Sequence, residues 1–221
     1  MFSKVLIADD LVSVNSGVHS VLEPLGIQQI DRVNYCDDAW LKILAAAREG
    51  KPYELLITDL SFKTDHREQK IKSGDALAIE LKTLHPDLKI IVYTIEEKPQ
   101  LVRNLVLKHH INGYVCKGRQ GLQQLTEAVE DVDQGKTYVS PQLVSVLHSK
   151  SMLEISEYDI ALLRELADGY LQDEIAVKFK KQGVKPASLS AIEKRLLTLR
   201  TQFNAKNGTQ LIAISKDLGL I

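Results

Sequence analysis

The run Glu54-Leu55-Leu56-Ile57-Thr58-Asp59 constrains the fold more than any other stretch of the chain. Its aliphatic residues fall on both faces of any extended conformation, so it must be covered on both sides. That is the condition of a strand inside a parallel sheet. The run ends abruptly in a carboxylate, and open α/β sheets place their ligand crevice at the carboxyl ends of the strands. One such Asp says little, because caps and turns use Asp more often than chemistry does.

The same construction recurs. Val5-Leu6-Ile7-Ala8 is a second buried run, ending in Asp9-Asp10. Helical spacing follows at Val14, Val18, Val21, Leu22 and Leu25, stopped by Pro24 and Gly26. A weaker strand around Ile30 to Val33 precedes a helix with Trp40, Ile43, Leu44 and Ala47 on one face. After Asp59 comes a charged segment, then a helix marked by Leu77, Leu81 and Leu84. Lys89 to Thr94 is a fourth strand ending in a hydroxyl, and Pro99 suits the first turn of the next helix. Gly113 to Lys117 is a fifth strand ending in a cation, followed by a helix through Leu122, Leu125, Val129 and Val132.

Strict strand–helix alternation implies an α/β fold: a doubly wound, flavodoxin-like (βα)5 parallel sheet with right-handed crossovers. With strand order 2-1-3-4-5 the switch point lies between strands one and three. Asp9, Asp10 and Asp59 then converge in one crevice. Three carboxylates together need raised pKa values or a cation. A hard divalent ion held by oxygens is the economical answer, and Mg²⁺ is the usual choice. Thr94 and Lys117, at neighbouring strand ends, add a hydroxyl and a fixed charge. The set suits phosphoryl transfer, which needs mainly charge neutralisation and positioning, and a carboxylate can itself be the nucleophile.

Residues 1–139 resemble the receiver domain of a two-component response regulator: the acid pair Asp9-Asp10, then Asp59, Thr94, Tyr114 and Lys117 in the family's order. The resemblance implies that Asp59 accepts a phosphoryl group from a sensor histidine kinase, with Thr94 and Tyr114 as switch residues and Lys117 as phosphate partner. It implies further that Asp10, Asp59 and the Ser61 carbonyl hold Mg²⁺, with Asp9 acting through water. Phosphorylation is expected to draw Thr94 and Tyr114 inward. The chain departs from the family twice. Its loop from Ser61 to Ser73 is longer, lacks a Met-Pro pair and carries Lys63, Asp65, Arg67, Glu68, Lys70 and Lys72. Ile95 also stands where a small residue is common, and can narrow access to the crevice.

Residues 140–152 are assigned to a linker, in which Leu143, Val144 and Leu147 can continue a helix. Residues 153–221 contain no strand-like run. Ser156 with Asp159 is a capping-box start, and Ile160, Leu163, Leu166 and Ala167 face a core. Ile175, Ala176 and Phe179 mark a second helix, Ser188 caps a third with Ile192, Leu196, Leu199 and Phe203, and Thr209 caps a fourth. This all-α tail is similar to the helix-turn-helix output domain of NarL/LuxR-type regulators. That likeness implies DNA contacts from Ser190, Lys194 and Arg195 on the third helix. Lys180 and Lys181 stand in an insertion running from Lys178 to Pro186. Leu171 occupies the position of the usual polar cap before the second helix.

Charge limits this last reading. The 221-residue chain carries a net charge of -1, and residues 151–221 hold ten Lys and Arg against nine Asp and Glu. A strong DNA binder is more basic. A divergent helical domain that binds protein is therefore the alternative to a DNA-binding transcription regulator, which is expected to act as a homodimer. The chain is not expected to be an enzyme beyond Mg²⁺-dependent phosphorylation and dephosphorylation of its own Asp59; a phosphatase on this sheet would want a general acid, and Leu60-Ser61 offer none. No apolar run approaches the ~20 residues that span a bilayer. Met1 to Lys4 lead straight into a strand with no secretory segment, and Cys36 and Cys116 form no paired spacing. A cytoplasmic protein without membrane partners is expected.

Overall fold

The computed structural model describes residues 1–63, 69–148 and 155–221. The loop residues Asp65, Arg67 and Glu68 and the later part of the 140–152 segment lie outside them. Two compact units are formed, one from Met1–Glu97 with Val102–Leu147, the other from Lys98–Leu101 with His148–Ile221.

The first unit is a parallel sheet of β1 (Lys4–Ala8), β2 (Gln29–Val33), β3 (Leu55–Thr58), β4 (Lys89–Thr94), β5 (Gly113–Cys116) and β6 (Tyr138–Val139). The strand order is β2-β1-β3-β4-β5-β6, with every described pair parallel. β1 and β3 bury almost every residue because helices cover both faces. Val5, Ile7, Leu55, Ile57, Ile91 and Val115 form one core with Val18, Leu22, Leu125, Val129 and Val132 of the helices α1 (Val12–Leu22) and α5 (Gly121–Asp133). Alternate residues Leu6, Leu56, Ile90, Val92 and Tyr114 are fully buried, and α2 (Cys36–Arg48), α3 (Gly74–Leu84) and α4 complete the unit. α4 starts as Pro99–Arg103 and widens into a π-helical turn, Asn104–Lys108.

β6 has no counterpart in the sequence reading. Two residues give no periodicity to recognise, and the strand is held by backbone bonds from Tyr138 to Asn112 and from Ser140 to Tyr114. In α2 the buried face is Cys36, Ala39, Ile43 and Ala46 rather than Trp40, Ile43, Leu44 and Ala47. Small residues let the helix approach the sheet closely, so the indole is left at the margin. Leu84 is likewise exposed, at the last turn of α3.

The segment assigned to a linker begins with structure of its own. Ser140 is fully buried; its hydroxyl accepts from the Cys116 amide at 3.0 Å and donates to Gln124 Oε1 at 2.5 Å. Pro141–His148 forms α6. Arg103 Nη1 donates to the carbonyls of Val146 and Leu147 at 2.8 and 2.9 Å, two of the acceptors a helix end leaves free.

The second unit packs α7 (Glu157–Ala167), α8 (Gln172–Gln182), α9 (Leu189–Gln202) and α10 (Gly208–Asp217) around Leu162, Leu163, Ile175, Phe179, Ile192, Leu196, Leu199 and Leu211. Leu162 is buried and Ile160 only partly so, a small rotation from the expected face of α7. The segment taken as an insertion is mostly helix. Lys178 to Gln182 extend α8, which ends at Gly183 with φ 73°, a left-handed cap. Leu171 stands at the N-cap of α8 and offers no side-chain acceptor; only the reciprocal half of the cap forms, Glu174 Oε2 accepting from the Leu171 amide at 2.8 Å. Asn207, not Thr209, caps α10, accepting from the Gln210 amide at 2.8 Å.

Ser156 and Asp159 form the capping box of α7. Asp159 is also fully buried and takes both arms of Arg195, from Nε at 2.5 Å and Nη2 at 2.6 Å. Burial pushes its carboxyl up, but the Arg195 and Ser156 hydrogen bonds outweigh burial and hold it below the usual 3.8. A depressed folded pKa adds stability that is present above the unfolded value and lost as pH falls through the folded one. The second unit is expected to weaken as pH drops below 3.8, with Asp159→Asn flattening that profile. Arg195→Ala leaves a buried carboxylate unpaired and should cost about 3 kcal/mol, read by urea unfolding followed through far-UV circular dichroism.

Candidate functional site

Four adjacent strands end at one edge of the sheet, and each delivers a polar group. Asp9 follows β1, Asp59 follows β3, Thr94 closes β4 and Lys117 follows β5. The ladder fixes their levels: Ala8 pairs with Thr58, Thr58 with Val92, and Thr94 with Cys116. Backbone bonds extend the register past the strands, Asp59 N donating to Ala8 O at 3.0 Å and Lys117 N to Thr94 O at 2.7 Å.

Asp9 and Asp59 are 2% and 6% exposed. The Lys117 ammonium lies between them, 2.7 Å from Asp9 Oδ2 and 2.6 Å from Asp59 Oδ2. The remaining oxygens are also satisfied: Leu11 N donates to Asp9 Oδ1 at 2.8 Å and Leu60 N to Asp59 Oδ1 at 2.6 Å. Burial raises the Asp9 carboxyl above its ordinary value; Lys117 and the Leu11 amide pull it down without overcoming burial, and the Asp59 charge adds to the rise. Asp10 is turned outward, accepting from the Lys63 amide at 2.9 Å. Asp9 and Asp59 meet at Lys117, while Asp10 is engaged by the Lys63 amide in this conformation. Among the described residues no three His, Cys, Asp or Glu side chains gather closely enough to hold one ion.

Thr94 and Tyr114, the expected switch residues, share one partner. Thr94, fully buried, accepts from the Glu96 amide at 3.3 Å, and Tyr114 OH donates to the Glu96 carbonyl at 2.7 Å. The Tyr114 ring is buried, with no exposed surface in this conformation. Burial, first, and nearby acids raise its phenol far above the ordinary range, keeping it a donor. Ile95 points to solvent, 69% exposed, and does not cover the crevice. Cys36 and Cys116 are buried thiols, pushed by burial up to about 12 and about 11; neither is a nucleophile at neutral pH.

Two supporting residues escaped the sequence reading. Gly74, at the start of α3, donates its amide to Leu60 O at 2.9 Å; a Cβ there would collide with the Asp59 carbonyl oxygen. Its only signal is a Gly placed just after a Ser cap. Asn15 is buried on α1 and donates to the Asp9 carbonyl at 2.7 Å; a single amide among Val14 and Val18 was its signal.

In the second unit Ser190, Lys194, Lys180 and Lys181 are exposed. Arg195 is not free to read a base. Its guanidinium is held by Asp159, which ties α9 to α7.

No family model matches the chain. It is 31% identical over 164 residues to the response regulator GacA of Pseudomonas protegens, covering 73% of this chain and 70% of that protein. It is 24% identical over 232 residues to the oxygen regulatory protein NreC of Staphylococcus carnosus, covering 97% and 98%. Among solved structures it is similar to RcsB of Salmonella typhimurium, described for its conformational dynamism in DNA interaction, with TM-score 0.69 and 25% identity over 96% of this chain and 98% of that one. RcsB from Salmonella enterica serovar Typhimurium bound to promoter rprA with phosphomimetic BeF3- gives TM-score 0.64 and 26% identity over 95% and 96%. A receiver-type sheet followed by a helical domain defines a signalling protein of two parts, and the chain belongs to the response regulators, of the NarL/LuxR type.

Gly74→Ala is expected to destabilise the first unit by about 1–3 kcal/mol, because the Asp59 backbone or α3 must move. It should also slow phosphorylation of Asp59. Urea unfolding and phosphodonor labelling of the same preparation measure the two effects.

Proposed function

We propose that this protein is a transcription regulator switched by phosphorylation, accepting a phosphoryl group on Asp59 from a sensor histidine kinase and binding DNA through α8 and α9 as a homodimer. The observation that carries the reading is the Asp9–Lys117–Asp59 cluster at the carboxyl edge of the sheet. A cytoplasmic location is part of the same proposal, since the proposed partner is DNA; among the described residues no helix is long and apolar enough to cross a membrane. Residues 1–139 are the receiver, 140–152 the connecting segment and 153–221 the output domain.

The donor set fits Mg²⁺: all its atoms are hard oxygens, and one carboxylate is already destabilised by burial. Asp10, Asp59 and the Ser61 carbonyl would hold the ion, Asp9 through water, with Asp10 released from the Lys63 amide. Bound there, Mg²⁺ supplies charge neutralisation for an anionic donor. Asp59 then attacks phosphorus, the kinase N–P bond breaks, and the imidazole leaves. Lys117 follows a phosphoryl oxygen, and the Thr94 hydroxyl donates to another. Reorientation of the Thr94 hydroxyl alters its 3.3 Å bond from the Glu96 amide, and the Glu96 carbonyl receives Tyr114. The two residues thus act through one residue, Glu96, which carries the change into the segment leading to α4.

Incubation with acetyl phosphate and Mg²⁺ is expected to add one acid-labile phosphoryl group. Asp59→Asn and chelation of the metal should each abolish it; labelling of Asp59→Asn at the wild-type rate would sink the assignment.

On the output side, α8 and its exposed Lys180 and Lys181 face phosphate, while α9 supplies Ser190 and Lys194. Each phosphate contact removed lowers the salt slope of DNA binding by about one unit. Lys180→Ala/Lys181→Ala is therefore expected to weaken all DNA sequences about equally and to reduce the slope by about two, measured by salt titration of the full-length protein. One observation favours a protein partner instead: Leu171 and Val177 are 65% and 55% exposed on α8 and its cap. Failure of the phosphorylated protein to bind any DNA at low salt puts that reading first.

A further inference from the structure

Helix α9 buries Ile192, Leu196 and Leu199. The opposite face carries Ser190, Lys194, Leu197 and Thr201, spaced i, i+4, i+7 and i+11 and all exposed. Leu197 stands in the middle of this stripe, 61% exposed among polar neighbours. A single surface leucine ordinarily needs no explanation. This one sits at the centre of the face that a helix-turn-helix presents to the major groove.

A leucine offers nothing to a phosphate, which takes cations, hydroxyls and amides. Within the major groove the edges of the bases are donors and acceptors, with one exception, the C5-methyl of thymine. Arg195, the residue on this helix best suited to a guanine, is engaged by Asp159. Lys194 and Thr201 flank Leu197 by about one turn on either side and can hold it at a fixed depth. Resting on the DNA-binding reading above, we propose that Leu197 is a specificity-determining residue that reads thymine by packing on its 5-methyl group. The protein's preferred half-site therefore contains a thymine whose methyl group, not its hydrogen-bonding edge, is recognised.

Replacing thymine by deoxyuridine removes that methyl and nothing else. Duplexes are first selected from a random library by the full-length protein with Mg²⁺ and acetyl phosphate, and each thymine of the half-site is then exchanged in turn. One exchange per half-site is expected to weaken wild-type binding about three- to fivefold, the scale of burying one methyl group. Leu197→Ala should bind the thymine and deoxyuridine duplexes equally, while unfolding at the wild-type temperature because the side chain is exposed. Three outcomes overturn the proposal: a selected site with no fixed thymine, no exchange that weakens the wild type, or a variant that keeps the thymine preference. Selection of no DNA at all removes the DNA-binding reading and this proposal with it, whereas the three outcomes above leave that reading standing.

Discussion

The ammonium of Lys117 between Asp9 and Asp59 is the interaction on which the first unit's chemistry depends. Two carboxylates at 2% and 6% exposure repel each other and have lost most of their water. A fixed cation at 2.6–2.7 Å from both makes the arrangement tolerable, and amides of Leu11 and Leu60 take the remaining oxygens. None of these groups lies within a strand's apolar run. Each is the residue at which a strand stops, so the parallel register itself brings them to one level. The sheet is the positioning device, and its aliphatic core holds the acids together against their repulsion.

The edge is connected beyond its ion cluster through Glu96. Thr94 and Tyr114 reach it from β4 and β5 and bind opposite ends of its backbone, the amide and the carbonyl. The Thr94 bond is the longer of the two, 3.3 Å against 2.7 Å for Tyr114. The segment that follows leads into α4, whose Arg103 caps α6. β5 is joined to the same region through Ser140. Two separate routes thus run from the crevice to the start of the segment joining the units, both made of hydrogen bonds whose geometry a small backbone shift alters.

The sheet was legible because its strands are apolar on both faces and stop in polar groups; Val5–Ala8, Leu55–Thr58 and Lys89–Thr94 announce themselves. The crevice residues were legible for the same reason, as chain-terminal groups of strands. β6 was not, since two residues carry no period. The face of α2 was misjudged because hydrophobicity favours Trp40, whereas close packing favours Ala39 and Ala46. Gly74 and Asn15 were missed because their work is done by a missing Cβ and a single amide, neither of which a pattern of apolar residues encodes. The lysine-rich stretch after Val177 carries no turn signal before Gly183, the left-handed residue that ends α8, so its division between helix and turn was not legible.

Arg195 carries the broadest consequence. As a free cation on α9 it would be a base reader, and the near-balance of charge in the tail would matter less. Bound through two nitrogens to a fully buried Asp159, it supports the fold instead. The pair crosses from the capping box of α7 to the middle of α9, so the orientation of α9 is set by an ion pair to a buried carboxylate. Lys178 is similarly engaged, 2.6 Å from Glu165 and over the Tyr170 ring. Two of the tail's cations are thus spent within it, and the outward face of α9 keeps Lys194 as its central charge. A surface so sparing in charge gains little from phosphate attraction. In the DNA-binding reading proposed above, discrimination falls to short-range contacts, for which α9 offers the exposed Leu197 and, at its first residue, Leu189.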